Sequence, residues 1–499
     1  MLHLLAATLL WWALSPAQFA ARCSPSAAGA AGFVSRIATD PELRDAARRC
    51  AIQARIGELS ARYAPRAARL PPAARAELAA REAELAQSEA ALAHPPGDAA
   101  SITVSQRSAA GIPPALLALF PRQRGGYAVP VDALGGTLLA WARSPQVRQA
   151  FYLARERLAA SDAPALEHVA ELQDRIAHLL GAESYADIDL TGGPFEVPEG
   201  IEKFVDETGA ALAPAASAQR AAMQSAVRAD QRDARYGLQP WDELRAGHLL
   251  AGPAPAPPLD AALGAARTFG LAFAPLGGGS GWAPGVAGYA VSDAATGRPL
   301  GALYVDLYAR AGKRGAPGAY PLGSSGAAVI ADWPPPDPSS QGGPNALDAR
   351  DLFASIGTAV GLLLAPSAEP RGDRAATVAL TARIFEELAG PISPGARAYE
   401  AERLLAAAGL QSAYESRVAA ADPAALPAGG QMRVETAWAA VYGEDLAEAF
   451  AADPAAAAAR YRATLLSPHG RSLDEAMTAF LGRAALPDAF FAGIGVPQP

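Results

Sequence analysis

Gly301-Ala302-Leu303-Tyr304-Val305-Asp306-Leu307-Tyr308-Ala309-Arg310-Ala311-Gly312-Lys313-Arg314 is unlike the sequence around it. Leu303, Val305 and Leu307 alternate with Tyr304, Asp306 and Tyr308, the period of a strand with two unlike faces. Upstream, Val286-Ala287-Gly288-Tyr289-Ala290-Val291-Ser292-Asp293 has the same alternating character, and Gly297 turns the chain into Pro299. A β-hairpin, or the edge of a small sheet, is the expectation here.

Outward from this island the pattern is helical. Asp40 is placed to cap a helix that starts at Pro41, and small or apolar positions recur at helical spacing to about Arg62. Pro71 to Ala93 reads as a second helix, charged on one face by Glu77, Glu82 and Glu84. Ser108 to Pro130 reads as a loop-rich connection. Helical periodicity returns over Ser144 to Arg157 and Ala163 to Leu180, where Gly181 supplies a stop, and Glu199 to Tyr236 reads as a long helical pair. Pro253 to Pro258 has the composition of a linker. Beyond a Pro-rich loop, Trp333 to Pro344, the chain reads as helix up to Val496.

With 499 residues, 51% of them hydrophobic, the chain is long enough for two or three lobes and too apolar for wholesale disorder. Lys+Arg 42 against Asp+Glu 50 gives a formal charge of −8, which excludes a basic footprint for nucleic acid. Lys203 and Lys313 are the sole lysines and Asn345 the sole asparagine, a bias that points to a GC-rich genome. Ala-rich runs therefore carry little functional weight. Cys23 and Cys50 are the two cysteines, too few for a Cys-based zinc site or a disulfide framework. A single bridge requires export; two free structural thiols are the expectation. Leu4 to Leu14 is a short apolar run followed by Ser15-Pro16-Ala17, so residues 1–22 read either as a signal peptide or as an N-terminal helix. That run is too short and interrupted for a membrane span. Secretion and a cytoplasmic location stay equally open.

Several short signatures, in order along residues 40 to 496, resemble one family. Ala170-Glu171 through Leu179-Leu180-Gly181-Ala182-Glu183-Ser184-Tyr185-Ala186 is one, and Gln239-Pro240-Trp241-Asp242 another. The strand run from Gly301 to Arg314 is the closest. Tyr461-Arg462, Leu465-Leu466, Phe480-Leu481-Gly482-Arg483 and Asp488-Ala489-Phe490-Phe491 complete the series. Together they are similar to the zinc metallo-oligopeptidases typified by thimet oligopeptidase, neurolysin and bacterial oligopeptidase A. The resemblance implies a mainly α, two-lobed, neurolysin-like metallopeptidase fold with a deep central channel and a small β-region. Residues 23–260 would form a mostly helical lobe and residues 261–499 the metallopeptidase-like lobe. Short peptides would be the ligand class and a monomer the expected state.

The family's chemistry needs His-Glu-x-x-His on a helix, with a downstream Glu as third zinc ligand. Two histidines at i and i+4 share a face, and the Glu between them takes a proton from zinc-bound water. This chain departs from the pattern there. The helix Leu347 to Val360 is present, anchored to the family by Asp351, Leu352, Phe353 and Gly357. On that register Ala354 and Thr358 stand at the histidine positions, Ser355 at the catalytic Glu, and Ala379 at the third ligand. The stretch Pro427 to Val434, where the family carries a Tyr- and His-bearing loop, has neither residue. No His-Glu-x-x-His occurs anywhere in the chain.

The expectation is thus a degenerate oligopeptidase relative with no catalytic residues and no bound cofactor, zinc being the metal of active relatives. The alternatives are a working zinc peptidase with its ligands elsewhere, and a peptide-binding or scaffold protein that uses the old channel. Tyr304, Asp306, Arg310 and Lys313 form the best-preserved patch. They bind peptide along a strand edge, or they survive because the strand is needed for folding. His168, Glu171, Asp174 and His178 lie along one helix and read as a solvated polar face. Gly323-Ser324-Ser325-Gly326 lacks the spacing of a nucleophile elbow, and Gly277 to Gly281 lacks the Lys and helix of a phosphate loop.

Overall fold

The computed structural model describes residues 14–23, 28–38, 40–92, 100–190, 193–195, 197–252, 254, 258–277, 281–313, 316–323, 326–336, 343–365, 371–416, 433–467 and 471–497. It is mainly helical, with two small sheets. Strands β1 (Ser101–Val104), β2 (Arg122–Gln123) and β3 (Gly126–Pro130) pair antiparallel in the order β1-β3-β2. Strands β4 (Leu271–Pro275), β5 (Ala287–Asp293), β6 (Pro299–Tyr308), β7 (Gly318–Pro321) and β8 (Gly326–Trp333) run in the order β4-β5-β6-β8-β7. All pairs are antiparallel except β6 with β8, which are parallel.

The alternation read in the sequence becomes two buried faces. Leu303, Val305 and Leu307 of β6 and Val329, Ala331 and Trp333 of β8 enter the main core with Leu352, Phe353, Ile356 and Val360. Ala302, Tyr304, Ala328 and Ile330 point the other way, into a second core with Phe19, Phe33, Val34 and Leu43. The sheet is therefore covered on one side by the helix Ala346–Leu364 and on the other by N-terminal helices. Every residue of β8 is buried. Its run Gly-Ala-Ala-Val-Ile-Ala-Asp-Trp consequently has no polar alternation, and Trp333 ends a strand rather than opening a loop.

The N-terminal segment corrects one expectation. Cys23 and Cys50 form a disulfide, with Cα atoms 5.5 Å apart across 27 residues, where two free thiols were expected. The helices Pro16–Ala21 and Ala28–Ile37 both fold back on the helix Pro41–Ala67, which brings the two cysteines within the span of a bridge. Such a fold-back between elements leaves no periodic trace in the sequence. Closing this loop should stabilise the N-terminal cover by about 3 kcal/mol, on the chain-entropy account. A Cys23→Ser/Cys50→Ser protein should then show faster exchange of the amides of residues 28–37 than wild type; equal rates would count against that contribution. Of residues 1–22, read as a leader or a helix, 1–13 lie outside the described residues and Pro16–Ala21 is a short helix. Leu14 and Phe19 are buried in the core beneath the sheet.

Elsewhere the helices run longer than expected. Ser144–Arg157 and Ala163–Leu180 are one helix, Pro145–Leu179, with Pro164 inside it. The expected pair over Glu199–Tyr236 is likewise a single helix to Gln231 through Pro214, followed by the 3₁₀ turn Pro240–Asp242. Each internal proline removes one backbone donor. At Pro214 the flanking Leu212 and Ala216 are fully buried against Ala398, Ala401 and Leu405, and this packing carries the helix across the gap. Among the described residues no helix is long and apolar enough to cross a membrane.

Candidate functional site

The helix Ala346–Leu364 begins with a capping box. Asn345 Oδ1 accepts from Asp348 N at 2.9 Å, and Asp348 Oδ2 accepts from Asn345 N at 2.8 Å. Its neighbour is the helix Arg371–Leu388. Two glycines allow the pair to approach closely. A Cβ on Gly357 would lie 2.7 Å from Phe385 Cβ and 2.8 Å from Thr381 O; one on Gly361 would lie 3.0 Å from Val378 Cα.

Ala354, Ser355 and Thr358 lie half-buried on the first helix, and Ala379 is buried on the second. The Thr358 hydroxyl donates to the Ala354 carbonyl at 3.0 Å, inside its own helix. Two methyl groups, one serine hydroxyl and one threonine hydroxyl already engaged with backbone are a poor donor set for zinc, which takes His, Cys or carboxylate. These four side chains do not fit a zinc centre. Among the described residues, no group of three or more His, Cys, Asp and Glu is arranged to hold a metal.

What the sequence reading missed is an ionic network behind this helix pair. Arg383 reaches Glu386 at 2.8 Å, Glu387 at 2.7 Å and Glu444 at 3.1 Å. Arg350 meets Glu386 at 2.7 Å and the Gly390 carbonyl at 2.7 Å. Arg397 pairs with Glu387 at 2.8 Å and also with Glu444. All three arginines are buried. Burial alone would raise the Glu386 pKa, but Arg383 and Arg350 outweigh it and hold the carboxyl below its usual range. The spacing of Arg383 to Glu386 and Glu387, i to i+3 and i+4, was the available sequence signal.

Two carboxyls beside the network behave oppositely. Asp351 is solvent-exposed, with protein packed beside its carboxyl. Loss of water, then Glu386 and Asp348, push it up to about 7, with Arg350 opposing. Glu400 is pushed up to about 8, chiefly by burial and then by Glu386. The arrangement clamps helices together and leaves two weakly acidic carboxyls beside them; nothing in it is a paired nucleophile and base.

The patch on β6 is placed quite differently from an open peptide groove. Tyr304, Asp306 and Lys313 are buried. Lys313 Nζ donates to Asp306 Oδ1 at 3.1 Å and to the carbonyls of Asp306 at 3.0 Å, Tyr308 at 3.1 Å and Ala331. Asp306 also accepts from Arg310 at 2.6 Å and from Trp282 Nε1 at 3.0 Å. Arg310 alone of the four retains sizeable solvent contact. Strand β6 is paired on both sides, by β5 and β8, so it has no free edge for an added strand. Burial thus favours the folding reading of this patch over the peptide-edge reading.

Other motif residues hold the fold in the same way. Asp242 accepts from Arg148 Nε at 3.0 Å and Nη2 at 2.7 Å, both side chains being fully buried. Arg462 pairs with Asp293, and Arg483 meets Asp445 at 2.6 and 2.7 Å. His168 and His178 are exposed and sit within 4 Å of carboxylates, as a solvated face would. Residues 278–280, 324–325 and 427–432 lie outside the described residues.

The model of peptidase family M3 matches residues 138–353, less than half of the chain, and its match stops one residue before Ala354. Mitochondrial intermediate peptidase of Arabidopsis thaliana is 25% identical over an alignment of 193 residues that covers 36% of this chain and 27% of that protein. The match thus spans about a quarter of that curated relative. Among solved structures, a chain of Bacillus anthracis str. Ames assigned as an oligoendopeptidase F superposes with a TM-score of 0.53 at 11% identity, covering 93% of this chain and 87% of that one. PZ peptidase A, solved with an inhibitor, gives 0.50 at 11% identity over the same shares. At that identity the likeness is one of fold.

Proposed function

We propose that this chain, a relative of peptidase family M3 with the helical fold of its oligoendopeptidases, is a catalytically silent member. In this reading residues 261–499 are the metallopeptidase-like lobe and residues 23–260 the helical lobe beside it. One observation carries the proposal. The helix that bears the family's motif register is intact and capped, while its three chemical positions hold Ala354, Ser355 and Thr358, and the third-ligand position on the adjoining helix holds Ala379. A hydrolytic zinc site needs imidazole or carboxylate ligands and a carboxylate base, and these side chains supply neither.

The test has two parts. Protein purified from zinc-replete medium should carry no stoichiometric zinc, and it should not cleave quenched fluorogenic peptides with or without chelator. Chelator-sensitive turnover from clean protein would establish a working peptidase with its ligands elsewhere. Titration of the same peptides by fluorescence anisotropy separates a peptide binder, which saturates, from a scaffold that ignores them.

A further inference from the structure

We propose that His248 is a pH-sensitive latch on the first turn of the helix that carries Ser355: the neutral ring holds the Asn345 cap, and the protonated ring cannot. The proposal does not depend on whether the chain binds peptide.

The hydrogen bonds leave little freedom. Asn345 Oδ1 is taken by Asp348 N, so the group that Asn345 turns toward His248 is its Nδ2 amine, 3.0 Å from His248 Nδ1. An amine donates, so Nδ1 must carry the lone pair and Nε2 the proton. Protonating the ring places N–H against N–H. Rotating the Asn345 amide would give the imidazolium an oxygen, but that oxygen would leave Asp348 N. The cap and the charged ring are therefore mutually exclusive.

Surrounding groups reinforce the neutral state. The ring is half-buried and lies 4.2 Å, centroid to centroid, from Trp141, on the helix Ala133–Trp141. On its own helix, Arg245 opposes a second positive charge; from the helix Pro198–Gln231, Asp230 favours one but is bound to Arg245 at 2.7 Å. On the motif helix, Asp348 is occupied by the Asn345 amide. Burial first, then Arg245, hold the His248 pKa below its usual value, with Asp230 opposing. The junction has a second tie, from Ala346 N to the Gly252 carbonyl at 2.8 Å, so release of His248 loosens the helix start without detaching it.

The sign follows from proton counting. The folded state binds fewer protons here than the unfolded state, so the latch is fully effective above the ordinary histidine pKa and is lost as pH falls through the lower folded value. Protection of the first-turn amides should drop by up to about tenfold per pH unit below that value.

Asn345 is the single asparagine of the chain, so asparagine-selective ¹⁵N labelling of the full-length protein gives one side-chain amide pair. Its resonances should shift on acidification, with a midpoint below that of free histidine. In His248→Gln, whose side-chain oxygen can still accept from Asn345, the titration should vanish. Asn345→Asp provides a second test through hydrogen exchange of residues 346–349, corrected for intrinsic rates. A carboxylate there accepts from the charged ring and the helix together, so protection should increase as pH falls. An amide pair that does not move in wild type, or moves equally in His248→Gln, would overturn the latch. So would an Asn345→Asp protein whose protection falls with acid as steeply as wild type.

Discussion

Lys313→Met should destabilise the protein by about 3–5 kcal/mol, the usual cost of leaving a buried carboxylate without its counter-charge. The ammonium is almost wholly enclosed and serves two acids, Asp306 at 3.1 Å and Asp332 at 3.3 Å. They would not suffer equally. Asp306 would keep Arg310 and Trp282. Asp332 accepts no hydrogen bond among the described residues and is already pushed up to about 6, chiefly by burial, with Lys313 as the opposing influence. Most of the loss should therefore come from Asp332. Two consequences separate this account from simple loss of packing. A carboxyl whose folded pKa is raised binds more protons folded than unfolded, so it favours folding at low pH and that advantage is lost as pH rises through about 6. The Lys313→Met deficit should thus shrink in acid, as Asp332 protonates. Adding Asp332→Leu should recover most of the deficit at neutral pH. Urea melts of the three proteins at neutral pH and near pH 5 decide it; a deficit independent of pH and of Asp332 would place the cost in packing.

That lysine shows why the sequence was legible in some parts and opaque in others. Alternation in 301–308 identified β6 because its two faces enter different cores, one under the motif helix and one under the N-terminal cover. Strand β8, equally central, was missed because it is apolar on both faces and has no alternation to read. Strands β2 and β3 lie within Ser108–Pro130, which reads as loop because two to five residues are too few to establish a period. Each helix expected in two pieces runs unbroken through an internal proline, Pro164 or Pro214, and at Pro214 buried packing sustains it. The motif resemblance pointed to the helix Ala346–Leu364 and, through Ala379, to its packed neighbour. It could not distinguish residues that act on a ligand from residues that hold elements together. Asp242, Asp306, Lys313, Arg462 and Arg483 all proved to be partners in ion pairs. The Arg350–Arg383–Arg397 network joins residues up to 61 positions apart, so pairing across it could be seen only in three dimensions.

On the proposed reading, introducing the family's metal ligands should first weaken the protein and then make it depend on zinc. Thr358→His alone removes the hydroxyl's extra hydrogen bond to the Ala354 carbonyl and forces a ring into a half-buried helical surface, at a cost of roughly 1–3 kcal/mol. The fourfold protein, Ala354→His, Ser355→Glu, Thr358→His and Ala379→Glu, should lose more. Ala379 is buried, and the glycine contacts at 357 and 361 show how closely the two helices approach. Extra volume between such helices typically costs about 1–3 kcal/mol for each overpacked position. The carboxylate introduced by Ser355→Glu would also face Asp351 one helical turn earlier, a like-charge pair beside a carboxyl already pushed up to about 7. Zinc should reverse part of this. The new histidines at i and i+4 share one helical face, and the new glutamate from Ala379→Glu stands on the adjoining helix, as a three-ligand site requires. With free zinc about a hundredfold above its Kd, binding restores about 2.7 kcal/mol, a shift that thermal melts resolve. Peptide turnover should stay negligible, because the 427–434 stretch still offers no Tyr or His to stabilise the developing oxyanion. Wild type should melt at the same temperature with and without zinc. A wild-type melting temperature that climbs with zinc would mean that this chain holds the metal with residues other than the four.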